Sequence, residues 1–169
     1  MNLNLREKQE PIKERYREDA DASRITLTAR GSTDDVVSCS VDIGRAIQAA
    51  EAHEGVGGPG TGACSGDLLL GALAACAQLT SQMVAANSGI EGTIETVVEG
   101  DLDLSGTLGV NREAPVGFSA IRLRFEIDAP EASADEIESL IGKSERFCTV
   151  LQTLLQPPEI ETEAVRVSS

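Results

Sequence analysis

Apolar residues in this chain change period several times, and each change predicts an element. RITLTAR (24–30) and DVVSCSV (35–41) alternate apolar and polar positions on either side of GSTD, the pattern of two strands joined in a hairpin. A third short strand is expected after Gly44, and the glycine-rich EGVGGPGTG (54–62) predicts a loop. From about Asp67 to Ala86 the chain is apolar on nearly every face, which predicts a helix inside a protein core. Gln78, Thr80, Ser81 and Gln82 make that helix a poor membrane span, so no membrane partner is expected. Gly71 with Ala75, and Ala72 with Cys76, are small residues four apart that let a neighbouring backbone approach, and Gly89 is a natural left-handed cap.

Alternation returns in TIETVVEGDLDL (93–104) and SAIRLRFEID (119–128), two strands joined by a long connection. Ser133 with Glu136 forms a capping box that opens a helix over 132–146, whose buried side carries Ile137, Leu140 and Ile141. Cys148 begins a short helix halted by Pro157 and Pro158, and EIETEAVRV (159–167) predicts a closing strand. Residues 3–20 are dense in charge, with Leu3, Leu5, Ile12 and Tyr16 too sparse for a buried stripe, so a solvated helix or arm is expected. The division is a charged arm over 1–22 and one domain over 23–169, a size that buries a sizeable core.

Charge changes the picture by exclusion. The formal net charge is -14, from 28 acidic and 14 basic residues, which argues against phosphate backbones and anionic lipid as partners. With no Trp, one Tyr and three Phe, a stacking platform for bases is also not expected. No apolar leader is visible at the start, so a reducing, cytoplasmic location is the expectation and any disulfide would be transient.

Four cysteines carry the candidate chemistry: Cys39, Cys64, Cys76 and Cys148. None forms a CxxC pair and the single histidine, His53, has no partner at ligand spacing, so neither zinc nor any other metal site is expected. Gly55, Gly57 and Gly60 formally satisfy GxGxxG, but the preceding RAIQAAEAHE is a weak strand, Pro59 interrupts the run and the helix starts late, against a dinucleotide site. DLDLSG (101–106) resembles half a calcium loop whose twelfth position is Arg112 rather than glutamate. No cofactor is expected. Cys76 lies ten residues into its helix, far from the positive end, so its reactivity is expected to need a cation from elsewhere in the fold. The alternative is that Cys76 is a small core hydrophobe.

SGDLLLGALAAC, EGDLDLSGTLGV, APVGFSAIRLRFEID and ERFCTVLQTLLQPPEIETE, in that order, resemble the OsmC/Ohr family, named for osmotically induced protein C and organic hydroperoxide resistance. The similarity covers roughly residues 24–167. It implies an α+β fold and an intertwined homodimer, two long central helices being wrapped by antiparallel sheets. It also implies reduction of organic, lipid-like hydroperoxides by a peroxidatic Cys76 and a resolving Cys148, with an external dithiol as reductant. The family's activating arginine comes from the N-terminal hairpin, where Arg30 is the nearest match and Arg45 the fallback. Hydroperoxide-reducing members carry a glutamate ten residues before the peroxidatic cysteine; here that position is Gly66, and Asp67 is the nearest carboxylate. The chain is more similar to the branch lacking that glutamate, which leaves open a non-enzymatic binder of hydrophobic ligands or a thiol redox sensor. Phe118, Val116 and Leu108 are candidates for an alkyl-chain pocket or else anchor their loop, Cys64 is a rival resolving thiol or a packed loop residue, and Cys39 is expected in the core.

Overall fold

The computed structural model describes residues 5–19, 24–26, 29–33, 38–42 and 47–166. Helix α1 (Leu5–Glu18) carries Pro11 in its interior and its described side chains are mostly exposed. Strands β1 (Arg30–Thr33), β2 (Ser38–Asp42) and β3 (Ile47–Glu51) form an antiparallel sheet in that order. The hairpin is present, with a shifted register: Arg30 pairs with Asp42 and Thr33 with Cys39, so Gly31, Ser32 and Thr33, expected in the turn, lie in the ladder. Arg24, Ile25 and Thr26 are outside any strand. Pairing partners, not local propensity, set where such a strand begins.

Helix α2 (Ser65–Ser88) is the long apolar helix, ended by Gly89 at φ 72° with its N–H on the Ala85 carbonyl. By length and composition it could cross a membrane, yet Gln78 and Ser81 in its middle hydrogen-bond within the protein. Gln78 Nε2 donates to the Ile94 carbonyl at 2.6 Å, and Thr96 Oγ1 donates to the Ala74 carbonyl at 3.2 Å. These bonds seat α2 on β4 (Thr93–Asp101), which pairs with β5 (Ala120–Asp128) from Thr93↔Asp128 to Asp101↔Ala120. The alternation read in both strands sets their inner residues against α2: Leu73 and Ala77 form the core centre, with Val98, Ile121, Leu123 and Phe125 packed on it.

The connection between these strands contains a short helix, α3 (Leu104–Thr107), which the sequence pattern did not reveal. Asp103 caps it, accepting from the Ser105 N–H at 2.9 Å and hydroxyl at 2.6 Å, while Asp101 pairs with Arg122. Both acidic residues of the half calcium loop are thereby engaged. Helix α4 (Ala134–Phe147) opens on the expected capping box, and α5 (Thr149–Leu155) follows with Cys148 as the junction. The closing strand is not observed: residues 157–166 have no regular structure, and Ile160 and Val165 are 80% and 72% exposed. A period of two becomes a strand only when a neighbour accepts its hydrogen bonds, and no described strand borders this segment.

Candidate active site

The α4–α5 junction bends because Cys148 has an extended backbone, φ -75° and ψ 102°, so α4 ends and α5 begins on one residue. That bend aims the first amides of α5 at the middle of α2. Cys76, Val150 and Leu151 pack against the buried cluster of Leu73, Ala77 and Cys148, and Cys148 is fully buried. The two candidate thiols, far apart in sequence, are therefore neighbours, and both are free.

Their ionisation is unequal. Burial pushes the Cys76 thiol up, but the Val150 N–H, the Cys148 thiol, the Thr80 hydroxyl and the Thr149 N–H all hydrogen-bond its sulfur, and the balance lies below the ordinary cysteine value. Cys148 is raised, first by burial and then by the hydrogen bond and charge of Cys76, which outweigh the Leu151 and Val150 amides. Of the two thiols, Cys76 is therefore the one that ionises first. Among the described residues, the groups acting on Cys76 are neutral donors, where a cation was expected. Arg30 is described in its backbone alone, as the first residue of β1, while the Cys39 side chain and the whole of Arg45 lie outside the described residues. Thr80, 6% exposed and one turn after Cys76, is a site residue that sequence reasoning missed, although its spacing of four already put it on the same helix face.

Other candidates gather at the far end of α2. Asp67 accepts the Cys64 N–H at 2.9 Å and the Cys64 thiol, and these bonds hold its carboxyl below the usual range, with burial opposing and His53 adding a favourable charge. Asp67 is nine residues from Cys76, about 14 Å along a helix, and Cys64 twelve residues, about 18 Å. The structure therefore gives Asp67 and Cys64 to the helix start and does not bring them to Cys76. A side chain grown from Gly66 would meet Phe118 at 3.4 Å, Cys64 at 3.5 Å and Leu102 at 3.7 Å. Phe118 also lies over Gly100, where a Cβ would stand 2.5 Å from its ring. It is packed at the first turn of α2, while Val116 and Leu108 are 68% and 55% exposed on the same connection. An open groove of about 560 Å³ runs elsewhere, along α4 past Ala134, Ile137, Ile141 and Gly142.

The glycine run closes on itself. His53 Nδ1 accepts the Gly55 N–H at 3.0 Å, and Glu51 accepts from Thr61 and Gly62. A strand does precede it, contrary to the weak signal in RAIQAAEAHE, but β3 belongs to an antiparallel sheet and α2 opens only at Ser65, so the arrangement is not that of a dinucleotide fold.

The OsmC-like protein family model matches residues 58–163. Comparison with curated proteins finds no match. Among solved structures the chain is similar to the OsmC-like protein of Mycoplasma pneumoniae, at TM-score 0.61 and 23% identity over 80% of this chain and 89% of that one. It is similar to an organic hydroperoxide resistance protein OsmC from Legionella pneumophila, at TM-score 0.60 and 18% identity over 79% and 92%. An organic hydroperoxide resistance protein from Elizabethkingia anophelis aligns at TM-score 0.56 and 18% identity over 80% and 91%. The mixed architecture of helices and antiparallel sheets accords with these folds, and with the family model spanning more than half its length, this chain belongs to the OsmC-like family.

Proposed function

We propose that this protein reduces organic hydroperoxides through Cys76, with Cys148 as the resolving thiol and an external dithiol completing the cycle. The observation that carries the reading is that Cys76 packs against the buried cluster that contains Cys148, with the Cys76 thiol held below and the Cys148 thiol above the ordinary cysteine value. The names of the Legionella pneumophila and Elizabethkingia anophelis proteins, both organic hydroperoxide resistance proteins, support a peroxide-related role. The thiolate attacks the distal peroxide oxygen, the O–O bond breaks, the alcohol leaves and Cys76 becomes a sulfenic acid. Attack by the Cys148 sulfur then expels hydroxide and forms the disulfide, which a dithiol reduces by exchange. Burial still raises Cys148 after Cys76 becomes neutral, but the opposing charge of Cys76 is then gone and the Leu151 and Val150 amides favour its thiolate. The enzyme works as a homodimer. Leu69, Ala72, Cys76, Leu79, Met83 and Ala86 recur at alternating steps of three and four along α2, and Leu79 is 59% exposed, a seam suited to a second copy of the helix.

Gly66 in place of the family's glutamate, lined by Phe118, supports the competing reading of a redox sensor without efficient turnover. Reduced protein mixed with excess cumene hydroperoxide and a dithiol distinguishes the two. The enzyme consumes peroxide over many cycles, Cys76→Ser abolishes consumption and Cys148→Ser accumulates sulfenic acid. Oxidation that stops at one equivalent supports the sensor, and the absence of both consumption and disulfide overturns both readings.

A further inference from the structure

Helix α2 carries too many apolar residues for burial alone to fix which of its sides faces inward. Leu68, Leu69 and Leu70 follow one another directly, so they spread over about 200° of the helix, and Leu73, Leu79, Met83 and Val84 continue the apolar cover. Burial is non-directional and favours several rotations of such a helix almost equally. Hydrogen bonds are directional and select one. Two half-buried side chains, Gln78 on α2 and Thr96 on β4, supply them. Gln78 Nε2 donates to the Ile94 carbonyl at 2.6 Å, and since a carbonyl only accepts, the other amide atom, Oε1, is the one turned to Thr96. Thr96 Oγ1 stands 3.2 Å from that Oε1 and 3.2 Å from the Ala74 carbonyl, its single proton shared between them. Strand β4 thus grips α2 at residues 74 and 78. Cys76 lies midway, two residues from each and hence about 200° round the helix from both, so the clamp holds the side of α2 away from Cys76.

We propose that the Gln78–Thr96 clamp sets the rotation of α2 and so presents Cys76 to Cys148, making Gln78 and Thr96 positioning residues that act through the helix backbone. The proposal rests on the reading of Cys76 and Cys148 as a redox pair and names what keeps them in register. Cys76 packs against the cluster that contains Cys148 on one side of α2, while the clamp fixes the other. Turning α2 by one residue, about 100°, breaks all three hydrogen bonds of the clamp and carries Cys76 away from that cluster. A satisfied polar network inside an otherwise apolar contact is suited to this task, because every alternative packing leaves its groups without partners.

The test is the equilibrium of the Cys76–Cys148 disulfide with mixtures of reduced and oxidised glutathione, in the full-length protein, with the bond located by peptide mass. A general loss of stability weakens the dithiol and disulfide forms alike and leaves this equilibrium in place, whereas a misplaced Cys76 makes the disulfide harder to form. Thr96→Val keeps the shape of the side chain and removes its hydroxyl. The equilibrium constant for disulfide formation should fall by about tenfold, a shift of about 30 mV toward a more oxidising potential. Thr96→Ser, which keeps the hydroxyl, should hold the potential of the unaltered protein. Gln78→Met breaks the same clamp from the helix side and should shift the potential in the same direction as Thr96→Val. An unshifted potential in either Thr96→Val or Gln78→Met, or an equal shift in Thr96→Ser, overturns the proposal while leaving the peroxidase reading intact. Absence of a Cys76–Cys148 disulfide in the unaltered protein at every glutathione ratio overturns both.

Discussion

At the scale of single residues, the proposed chemistry rests on which of the two sulfurs ionises first. Thr80 is the side chain whose removal reports on this most directly. Replacing its hydroxyl by a methyl in Thr80→Val removes a donor to the thiolate and leaves the thiol form untouched, so the Cys76 ionisation moves to higher pH. At neutral pH the rate of Cys76 alkylation should fall by about tenfold, from the loss of a hydrogen bond to a charged atom, and Thr80→Ser should restore it. In the unaltered protein the same measurement rises through a midpoint below that of an ordinary cysteine, because a depressed thiol is charged already at lower pH. Of this, the one-dimensional pattern carried only the spacing that puts Thr80 on the Cys76 face of α2. Cys76 and Cys148 were identifiable as candidates, but the sequence argument looked for a cation because it considered only the positive end of α2 itself. The described donors come instead from the start of another helix and from one turn further along α2.

At the scale of elements, local signals with a stereochemical mechanism were readable. Ser133 accepts the Glu136 N–H at 3.3 Å, and the Glu136 carboxylate accepts the Ser133 N–H at 2.8 Å, which also holds that carboxyl below its usual range. The box fixes where α4 begins, and α4 carries Cys148 at its other end. Ser133→Ala should lower stability by about 0.5–2 kcal/mol, visible as a lower urea midpoint with an unchanged slope. The start of β1 and the closing segment were misread for a common reason. Alternation states that a stretch suits a strand, whereas hydrogen-bond partners elsewhere in the chain decide whether and in which register it becomes one.

At the scale of the whole molecule, α2 leaves Leu69, Leu79 and Met83 exposed, in a chain whose described core is centred on Leu73 and Ala77. In the proposed homodimer a second copy buries that seam. Leu79→Asp should therefore shift sedimentation from dimer to monomer, since a carboxylate in a closed helix seam loses its water without gaining a partner. The charge of -14 argues that such a dimer does not grow into larger assemblies by non-specific contact.

By itself the sequence determined the order and type of most elements, the C-terminal cap of α2 and the capping box of α4, the absence of the usual metal and nucleotide spacings, and the identity of two candidate sulfurs. Those properties depend on neighbours a few residues apart, where periodicity and capping geometry act. Only the tertiary structure decided that α5 points its first amides at Cys76, that Asp67 and Cys64 serve the start of α2, and that Phe118 sits over Gly66 and Gly100. The first and last are contacts between segments distant along the chain, fixed by how the α4–α5 bend and the β4–β5 pair pack on one helix, and local pattern carries no record of that packing.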